Sequence, residues 1–480
     1  MKKATAGRVI LTALILMALA AMWGVQSDLA YYVAQQRPIL LGRYTLSKTI
    51  SLLMFTPVLL MILRAMWKKK VADPRARRIE RFKAASATLS IIIAIMIADA
   101  ALRTIGKHRA AAYVGTATSY HRTPNQVFTG VFHDFPEFAF CYPNATPGYP
   151  PVEFTLSVDS NGFRNPVQAE TYDWIVLGDS FAEGSSVSDF DGWVPKLAQM
   201  RGVKIYNLGM SGGSPLTYLD TLEKFGTALK PGVALYMLYE GNDFRDSNFR
   251  QEKISAVEDS KKARSNPFKT SPLRTLLKNY LIKHLGPSGK NRFRNDPEIN
   301  NPSHSMYPVA WLPFRLPDGG AYGYAFDVKR LEQHYITAES FNATKACRES
   351  IRLLQEAIDV CRANDIQLVV LYAPDKPHIL IHDIAAQVPA GQVRAFLRTR
   401  LNDLPPAPEF MDALIAGTAV REKIFRDLCQ ANEVQFISLT EPLRQQTRAG
   451  VRTYYTYDQH WTPEGHDVVA DFLHETIRSQ

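Results

Sequence analysis

The chain is short of cysteine, with 4 in 480 residues. That is too few for a disulfide-built scaffold. It has no His-Glu-x-x-His pattern and no Cys-x-x-Cys pair, so the common zinc signatures are missing and no metal or other cofactor is expected. It has no internal repeat and no low-complexity tract, which excludes solenoids and flexible tethers. With 46% hydrophobic and 21% charged residues, it can bury a core, and global disorder is excluded. Acidic residues are scarce at one end only. Residues 1–110 carry 4 Asp+Glu against 18 Lys+Arg, whereas the other 370 residues carry 42 against 38. The net charge of +10 therefore belongs to the N-terminal segment. That segment does not read as a nucleic-acid patch, because three apolar runs dominate it.

The runs are Val9 to Val25 (17 residues, no charge), Ile50 to Trp67 (18, with Arg64) and Ala84 to Leu102 (19, with Asp99). A spanning helix needs roughly 20 apolar residues, with about 17 as the lower limit. Arg64 and Asp99 sit near run ends, where long or polar side chains reach the headgroups. Pro57 is expected to kink the second run. Orientation follows from the loops. Lys68, Lys69, Lys70, Arg75, Arg77, Arg78, Arg81 and Lys83 lie between runs two and three, against only Arg37, Arg43 and Lys48 between runs one and two. The more basic loop stays in the cytoplasm, and Lys2, Lys3 and Arg8 place the N-terminus there too. Three crossings then put the chain after about residue 105 outside the cytoplasm. The expectation is a multi-pass protein of the cell (inner) membrane with a periplasmic or extracytoplasmic domain. The competing reading of run one is a signal peptide cleaved near Ala18-Leu19-Ala20.

Residues 111–170 are rich in Pro, Phe and Tyr and read as short strands and loops. From Tyr172 the pattern changes. Strands are expected at Trp174 to Leu177, Val203 to Tyr206, Val233 to Leu238, Ile366 to Tyr372 and Val434 to Leu439. Helices are expected at Gly192 to Met200, Leu216 to Phe225, Ala343 to Ala363, 408–431 and Pro463 to Arg478. Strands alternating with helices imply an α/β fold with a parallel sheet and right-handed crossovers. Residues 244–340 break the rhythm and are too long for an ordinary loop. They read as an insertion with one helix-like stretch, Pro272 to Leu285. Residues 244–300 carry 13 Lys+Arg against 6 Asp+Glu.

Four segments carry chemistry. Gly178-Asp179-Ser180 follows the first strand, where a tight turn presents Ser180 at the C-terminal sheet edge. Asn207-Leu208-Gly209-Met210-Ser211-Gly212-Gly213 follows the second, and its glycines let backbone N–H groups approach a ligand. Glu240-Gly241-Asn242-Asp243 follows the third and offers the Asn242 amide. Tyr457-Asp458-Gln459-His460-Trp461-Thr462-Pro463 leads into the final helix, with Thr462 as N-cap and Pro463 at its first position. Asp458 and His460 are two apart, so an extended segment puts both side chains on one face. A base that deprotonates a serine and an acid that orients the imidazole have this form. The Gly-x-Ser-x-Gly elbow of α/β-hydrolases is not present, since Ala182 stands where the second Gly belongs. His466 reads as a surface or packing residue.

In these four blocks, within about 172–242 and 434–475, the chain resembles the SGNH (GDSL-like) hydrolase superfamily. The resemblance implies a three-layer, flavodoxin-like α/β/α domain at 171–480, with Ser180 as nucleophile, His460 as base and Asp458 as its orienter. It further implies an oxyanion hole from the N–H groups of Ser180 and Gly212 with the Asn242 amide. Many members carry Asp-x-x-His, whereas here the spacing is Asp458-x-His460. That spacing, with Asn161-Gly162-Phe163-Arg164 and Pro374-Asp375-Lys376, looks more like the membrane or periplasmic branch linked to exopolysaccharide O-acetylation. The small secreted esterases of the superfamily lack the 244–340 insertion.

The resemblance implies a serine esterase acting on O-acyl groups of a cell-surface or exported polysaccharide. An O-acyltransferase to the same glycan shares its first half-reaction, and a non-catalytic glycan-binding subunit of an export complex is the alternative from another class. A lipid ester would favour an apolar groove along 272–285, and a glycan exposed aromatics such as Tyr307, Trp311 and Tyr322. Lys261, Lys262, Arg264 and Lys269 suit an anionic glycan or a lipid-facing surface. One helix suffices as an anchor, so three leave room for a membrane acyltransferase partner. No nucleic-acid partner is expected. Cys347 and Cys361 fall on one helix, about 21 Å apart at 1.5 Å per residue, and cannot pair. A Cys361–Cys429 bridge is open in an oxidising compartment, with buried thiols as its alternative. Cys141 is the fourth cysteine.

Overall fold

The computed structural model describes residues 2–24, 38–40, 44–67, scattered positions between 73 and 101, 113–115, 120–132, 134, 148–244, 311–315, 323–398, 401 and 403–477. The chain divides into two compact units. One comprises residues 1–107, 136–143 and 266–287, and the other 108–135, 144–265 and 288–480.

In the first unit, α1 (Lys2–Gly24) and α2 (Leu46–Trp67) flank a short pair of strands, β1 (Pro38–Leu40) and β2 (Tyr44–Thr45). The helices run antiparallel, because Trp67 donates to Thr12 at 2.8 Å and Trp23 to Thr56 at 3.0 Å. Val9, Ile10, Leu14 and Met17 of α1 are all exposed. Among the described residues no helix is long and apolar enough to cross a membrane. The structure therefore leaves the three expected spans unestablished, and much of the third run lies outside the described residues.

The second unit begins with two hairpins, β3 (Tyr113–Gly115) with β4 (Tyr120–Arg122) and β5 (Val127–Phe132) with β6 (Val152–Ser157). A parallel five-stranded sheet follows, built from β7 (Trp174–Leu177), β8 (Ile205–Asn207), β9 (Val233–Tyr239), β12 (Gln367–Ala373) and β13 (Gln435–Ser438). Their order is β13-β12-β9-β7-β8. Between β9 and β12 lies an antiparallel pair, β10 (Trp311–Arg315) and β11 (Gly323–Asp327).

All seven residues of β9 are buried, as expected of a strand covered on both faces. Alternate residues feed two different cores. Val233, Leu235, Met237 and Tyr239 join one, and Ala234, Tyr236 and Leu238 join the other. The first core is closed by α4 (Trp193–Arg201), α9 (Lys376–Gln387), α10 (Ala390–Leu397) and α13 (Pro463–Thr476). The second is closed by α5 (Pro215–Thr221) and α8 (Lys345–Ala363). This is a three-layer α/β/α arrangement. The remaining helices are α3 (Ser180–Glu183), α6 (Val328–Glu332), α7 (Ala338–Asn342), α11 (Ala407–Ala431) and α12 (Thr440–Arg448).

The expected strands and helices lie where the sequence pattern puts them, within a residue or two at most ends. α5 differs, since its last turn widens into a π-turn at Leu222–Gly226. Five helices, the short α6 and α7 together with α9, α10 and α12, have no counterpart among the expected elements. Most of the 244–340 insertion lies outside the described residues, including 272–285, Lys261, Lys262, Arg264, Lys269, Tyr307 and Tyr322. Cys141 lies outside them as well. Cys347, Cys361 and Cys429 are free, buried thiols. The Cys361–Cys429 bridge left open by the sequence is not formed, and both sulfurs belong to the second apolar core.

Candidate active site

The first crossover from β7 leads to β8 on one side, and the next leads to β9 on the other. The sheet order reverses at β7, and ligand sites in open α/β sheets gather beyond the strand ends at such a point. Gly178-Asp179-Ser180 leaves β7 there. Asp179 caps α3 by accepting the Phe181 N–H, which turns the chain sharply and leaves Ser180 as the first helical residue. A side chain at Gly178 would meet the Ala182 Cβ at 2.6 Å, so glycine is required at this turn.

Ser180, Asp458 and His460 come together across 280 residues of chain. His460 Nε2 lies 2.7 Å from Ser180 Oγ, and His460 Nδ1 lies 2.5 Å from Asp458 Oδ1. The His460 backbone N–H also donates to Asp458 Oδ1, at 2.8 Å, so the carboxylate is fixed within its own segment. The Phe181 ring packs on His460 with centroids 5.0 Å apart and on Trp461 at 4.8 Å. Burial works against charge on His460, but the Asp458 carboxylate more than offsets it and holds the imidazole above its usual pKa. Burial would raise the Asp458 pKa, yet the imidazole and the His460 N–H hold it well below the ordinary range. When neutral, the imidazole in this arrangement can accept a proton from Ser180, and the carboxylate steadies the imidazolium.

Asn242 is tied to the same turn, since its amide donates to Asp179 at 2.9 Å. The glycine loop after β8 is drawn alongside by the Met210 N–H donating to Gly178 O at 3.0 Å. Gly212 has φ +77°, a backbone that favours glycine. The loop is braced by Glu183, which closes α3 and accepts the Ser211 N–H at 3.2 Å as well as the Ser211 hydroxyl. Burial would raise the Glu183 pKa, but the Arg122 guanidinium at 2.6 Å overrides this and lowers it. Arg164, from the Asn161-Gly162-Phe163-Arg164 stretch, donates to the carbonyls of Glu183, Gly184 and Val187 behind α3.

Sequence reasoning missed several buried polar groups around this edge. Asp134 accepts the backbone N–H groups of Thr456, Tyr457 and Asp458. Lys376 donates to the carbonyls of Tyr455, Thr456 and Asp458. Only the Pro374-Asp375-Lys376 stretch gave a signal, and Asp134 gave none. His466 is buried rather than at the surface, and its Nδ1 accepts the Trp193 N–H at 3.3 Å.

Glu240, His334 and Asp375 place one possible ligand atom each within 4.8 Å of one another. Cations of the chain already face these carboxylates. His378 lies 2.9 Å and Arg421 4.0 Å from Glu240, so the residues present fit an internal charge network better than a metal ion. A cavity of about 340 Å³ is lined by Val167, Tyr172, Phe190, Trp193 and Val203, and none of Ser180, Asp458 or His460 lines it.

No family model matches the chain, and no curated protein matches it. Solved structures similar to it include one described as a lipolytic protein of the G-D-S-L family from Desulfitobacterium hafniense, at 10% identity and TM-score 0.28. That match covers 63% of this chain and 98% of the other. A GDSL-like lipase from Bacteroides thetaiotaomicron is 12% identical with TM-score 0.25, over 63% of this chain and 85% of the other. A protein described as an acylhydrolase from Bacteroides fragilis is 13% identical with TM-score 0.26, over 65% and 88%.

Proposed function

We propose that the chain is an SGNH-type serine esterase. The observation that carries this reading is the line Ser180 Oγ, His460 Nε2, His460 Nδ1, Asp458 Oδ1, with separations of 2.7 and 2.5 Å at the two hydrogen bonds. Ser180 Oγ attacks an ester carbonyl carbon as its proton passes to His460 Nε2. The carbonyl oxygen becomes an oxyanion facing the Ser180 and Gly212 N–H groups and the Asn242 amide. The tetrahedral intermediate collapses and the C–O bond to the leaving alcohol breaks. The alkoxide takes the proton from His460, leaving an acyl-serine. Water or a second hydroxyl then attacks, with His460 again as base, and Ser180 is regenerated.

The proposed substrate is an O-acyl, chiefly O-acetyl, ester on an exported or cell-surface glycan. An acceptor hydroxyl in place of water makes the same site an O-acyltransferase. The proposed setting is the outer side of the inner membrane. Exposed Val9, Ile10, Leu14 and Met17 on α1 and the basic loop after α2 support anchoring in a bilayer. A membrane partner supplying the acyl group belongs to the transferase version.

The test uses the full chain in detergent with p-nitrophenyl acetate and an acetylated oligosaccharide. Ser180→Ala is the control, and product masses separate hydrolysis from transfer. Turnover lost in Ser180→Ala supports the reading. Turnover retained in Ser180→Ala overturns it in favour of a reaction that does not use this serine, and no turnover in the folded wild type overturns it in favour of a non-catalytic glycan-binding subunit.

A further inference from the structure

The segment that carries Asp458 and His460 is not a strand or a helix. Residues 455–460 are an irregular run between α12 and α13, and irregular backbone does not by itself hold a hydrogen-bond line to a few tenths of an ångström. What surrounds it is a buried carboxyl group on one side and a buried amine on the other, with burial pushing the Asp134 pKa up and the Lys376 pKa down to about 7. On one side lies Asp134, 2% exposed, whose carboxylate accepts N–H groups from three successive residues of the run. Tyr457 and Asp458 donate at 3.0 and 2.9 Å, Thr456 at 2.6 Å, and Tyr149 adds a fourth N–H at 2.9 Å. On the other side Lys376, fully buried, spends its ammonium on three carbonyls of the same run. Thr456 lies at 2.8 Å, Asp458 at 2.9 Å and Tyr455 at 3.0 Å. Among the described residues the ammonium makes no hydrogen bond to a carboxylate, and its other contacts are the Tyr324 and Phe326 rings, each 5.8 Å away. Burying a charge is costly unless its bonds are made, and here they are made to the peptide groups that carry the proposed base.

Resting on the esterase reading, we infer that Asp134 and Lys376 are positioning residues. They grip the peptide N–H and C=O groups of 455–458 from opposite sides and keep Asp458 and His460 in line with Ser180 Oγ. Neither touches the reacting atoms. They act through geometry and through opposite fields at the Asp458–His460 pair. Asp458 feels Lys376 directly, and the other charged or titratable groups facing these side chains include Asp179, Tyr239, Arg330, Asp375, Tyr455, Tyr457 and His466.

The test is kcat and KM of the full chain for p-nitrophenyl acetate from acid to neutral pH, for Asp134→Asn, Lys376→Met and the double variant. Displacing a reacting group by about 1 Å costs ~10²-fold. Each single variant is expected to lose ~10- to 100-fold in kcat with KM within about 3-fold. The acid limb should move to higher pH in Lys376→Met, which removes a positive charge facing Asp458, the partner of His460. It should move to lower pH in Asp134→Asn. In the double variant the limb should return near its original position while kcat stays low. A residue that only supports folding gives no such opposed shifts. Asp134→Glu and Lys376→Arg keep the charges but alter the reach, so kcat should fall with the limb unmoved. They serve if the neutral variants do not fold. Wild-type kcat in folded variants, or limbs moving in the same direction, overturns the inference. If the wild type has no turnover, the esterase reading fails by itself, and titration of the His460 imidazole by NMR still reads the opposed shifts.

Discussion

Two of the histidine–carboxylate pairs among the described residues look alike on paper. His460 and Asp458 are 2.5 Å apart, and His334 and Asp375 are 2.8 Å apart. Their surroundings differ. The His460 and Asp458 side chains keep 25% and 32% of their surface, whereas His334 and Asp375 keep none. His460 turns its other nitrogen to a serine hydroxyl. His334 turns its other nitrogen toward Glu240, at 3.8 Å, in a cluster that also holds His378 and Arg421. The imidazole–carboxylate bond is thus not itself the mark of a site. Of these two pairs, only the first has a hydroxyl on its far nitrogen and side chains that reach the surface. The second is a sealed network in which two carboxylates face cations of the same chain.

The largest effect that sharpens this contrast is at Ser180. Ser180→Ala or His460→Ala should reduce ester turnover by ~10³-fold or more, and the double variant should be no worse than either single one. Additive losses in steady-state kinetics would break the idea of one relay.

Next in size is the sealed pair. His334→Ala should cost about 3–5 kcal/mol of stability in denaturant unfolding, because it strands buried carboxylates. Turnover per folded molecule should stay within about 3-fold. A folded His334→Ala protein without activity would show that the second pair belongs to the site.

The two pairs should also differ in their response to pH. His460 must be neutral to act as base, and Asp458 holds its pKa above the ordinary 6.5. Activity should therefore fall as pH drops through a value above 6.5, read from the acid limb of kcat/KM. Glu240 behaves oppositely. Burial alone would raise its pKa, but His378 and His334 lead the cations that bring it down to about 2. A carboxylate depressed in the folded state contributes stability above its unfolded value of 4.5, lost as pH falls toward about 2. The stability gap between wild type and Glu240→Gln should close across that window, and should narrow again as pH rises through the raised pKa of His378, which, despite burial, Glu240 holds above 6.5.

The smallest effect is at the surface. The Lys423–Asp427 pair is 70% and 54% exposed, and Lys423→Ala should shift stability by no more than about 0.5 kcal/mol.

The elements that position Ser180 were legible because they are local. An apolar strand, a Gly-Asp-Ser turn and a following helix declare themselves within ten residues, as do the Thr462 cap and Pro463. The meeting of Asp458 and His460 with Ser180 was accessible only through the order of motifs and the resemblance they support. Asp134 was illegible for a physical reason. It is one aspartate in a loop-rich stretch, and three of its four N–H partners lie over 320 residues further on. The sealed cluster was hidden likewise, since Glu240, His334, Asp375 and Arg421 come from four separate segments. Helix α9 was missed because Lys376-Pro377-His378 and His382-Asp383 interrupt its apolar face, although Asp375 caps it by accepting the His378 N–H. α12, rich in Gln, Arg and Thr, hides its buried positions behind a mostly polar face.

The central claim is that Ser180 is a nucleophile activated by His460. The most direct measurement is covalent trapping of the full chain with a fluorophosphonate, followed by mass mapping of the adduct. The account predicts one adduct, on Ser180, forming much more slowly in folded His460→Ala. An adduct elsewhere, or equal labelling of Ser180 without His460, would contradict it.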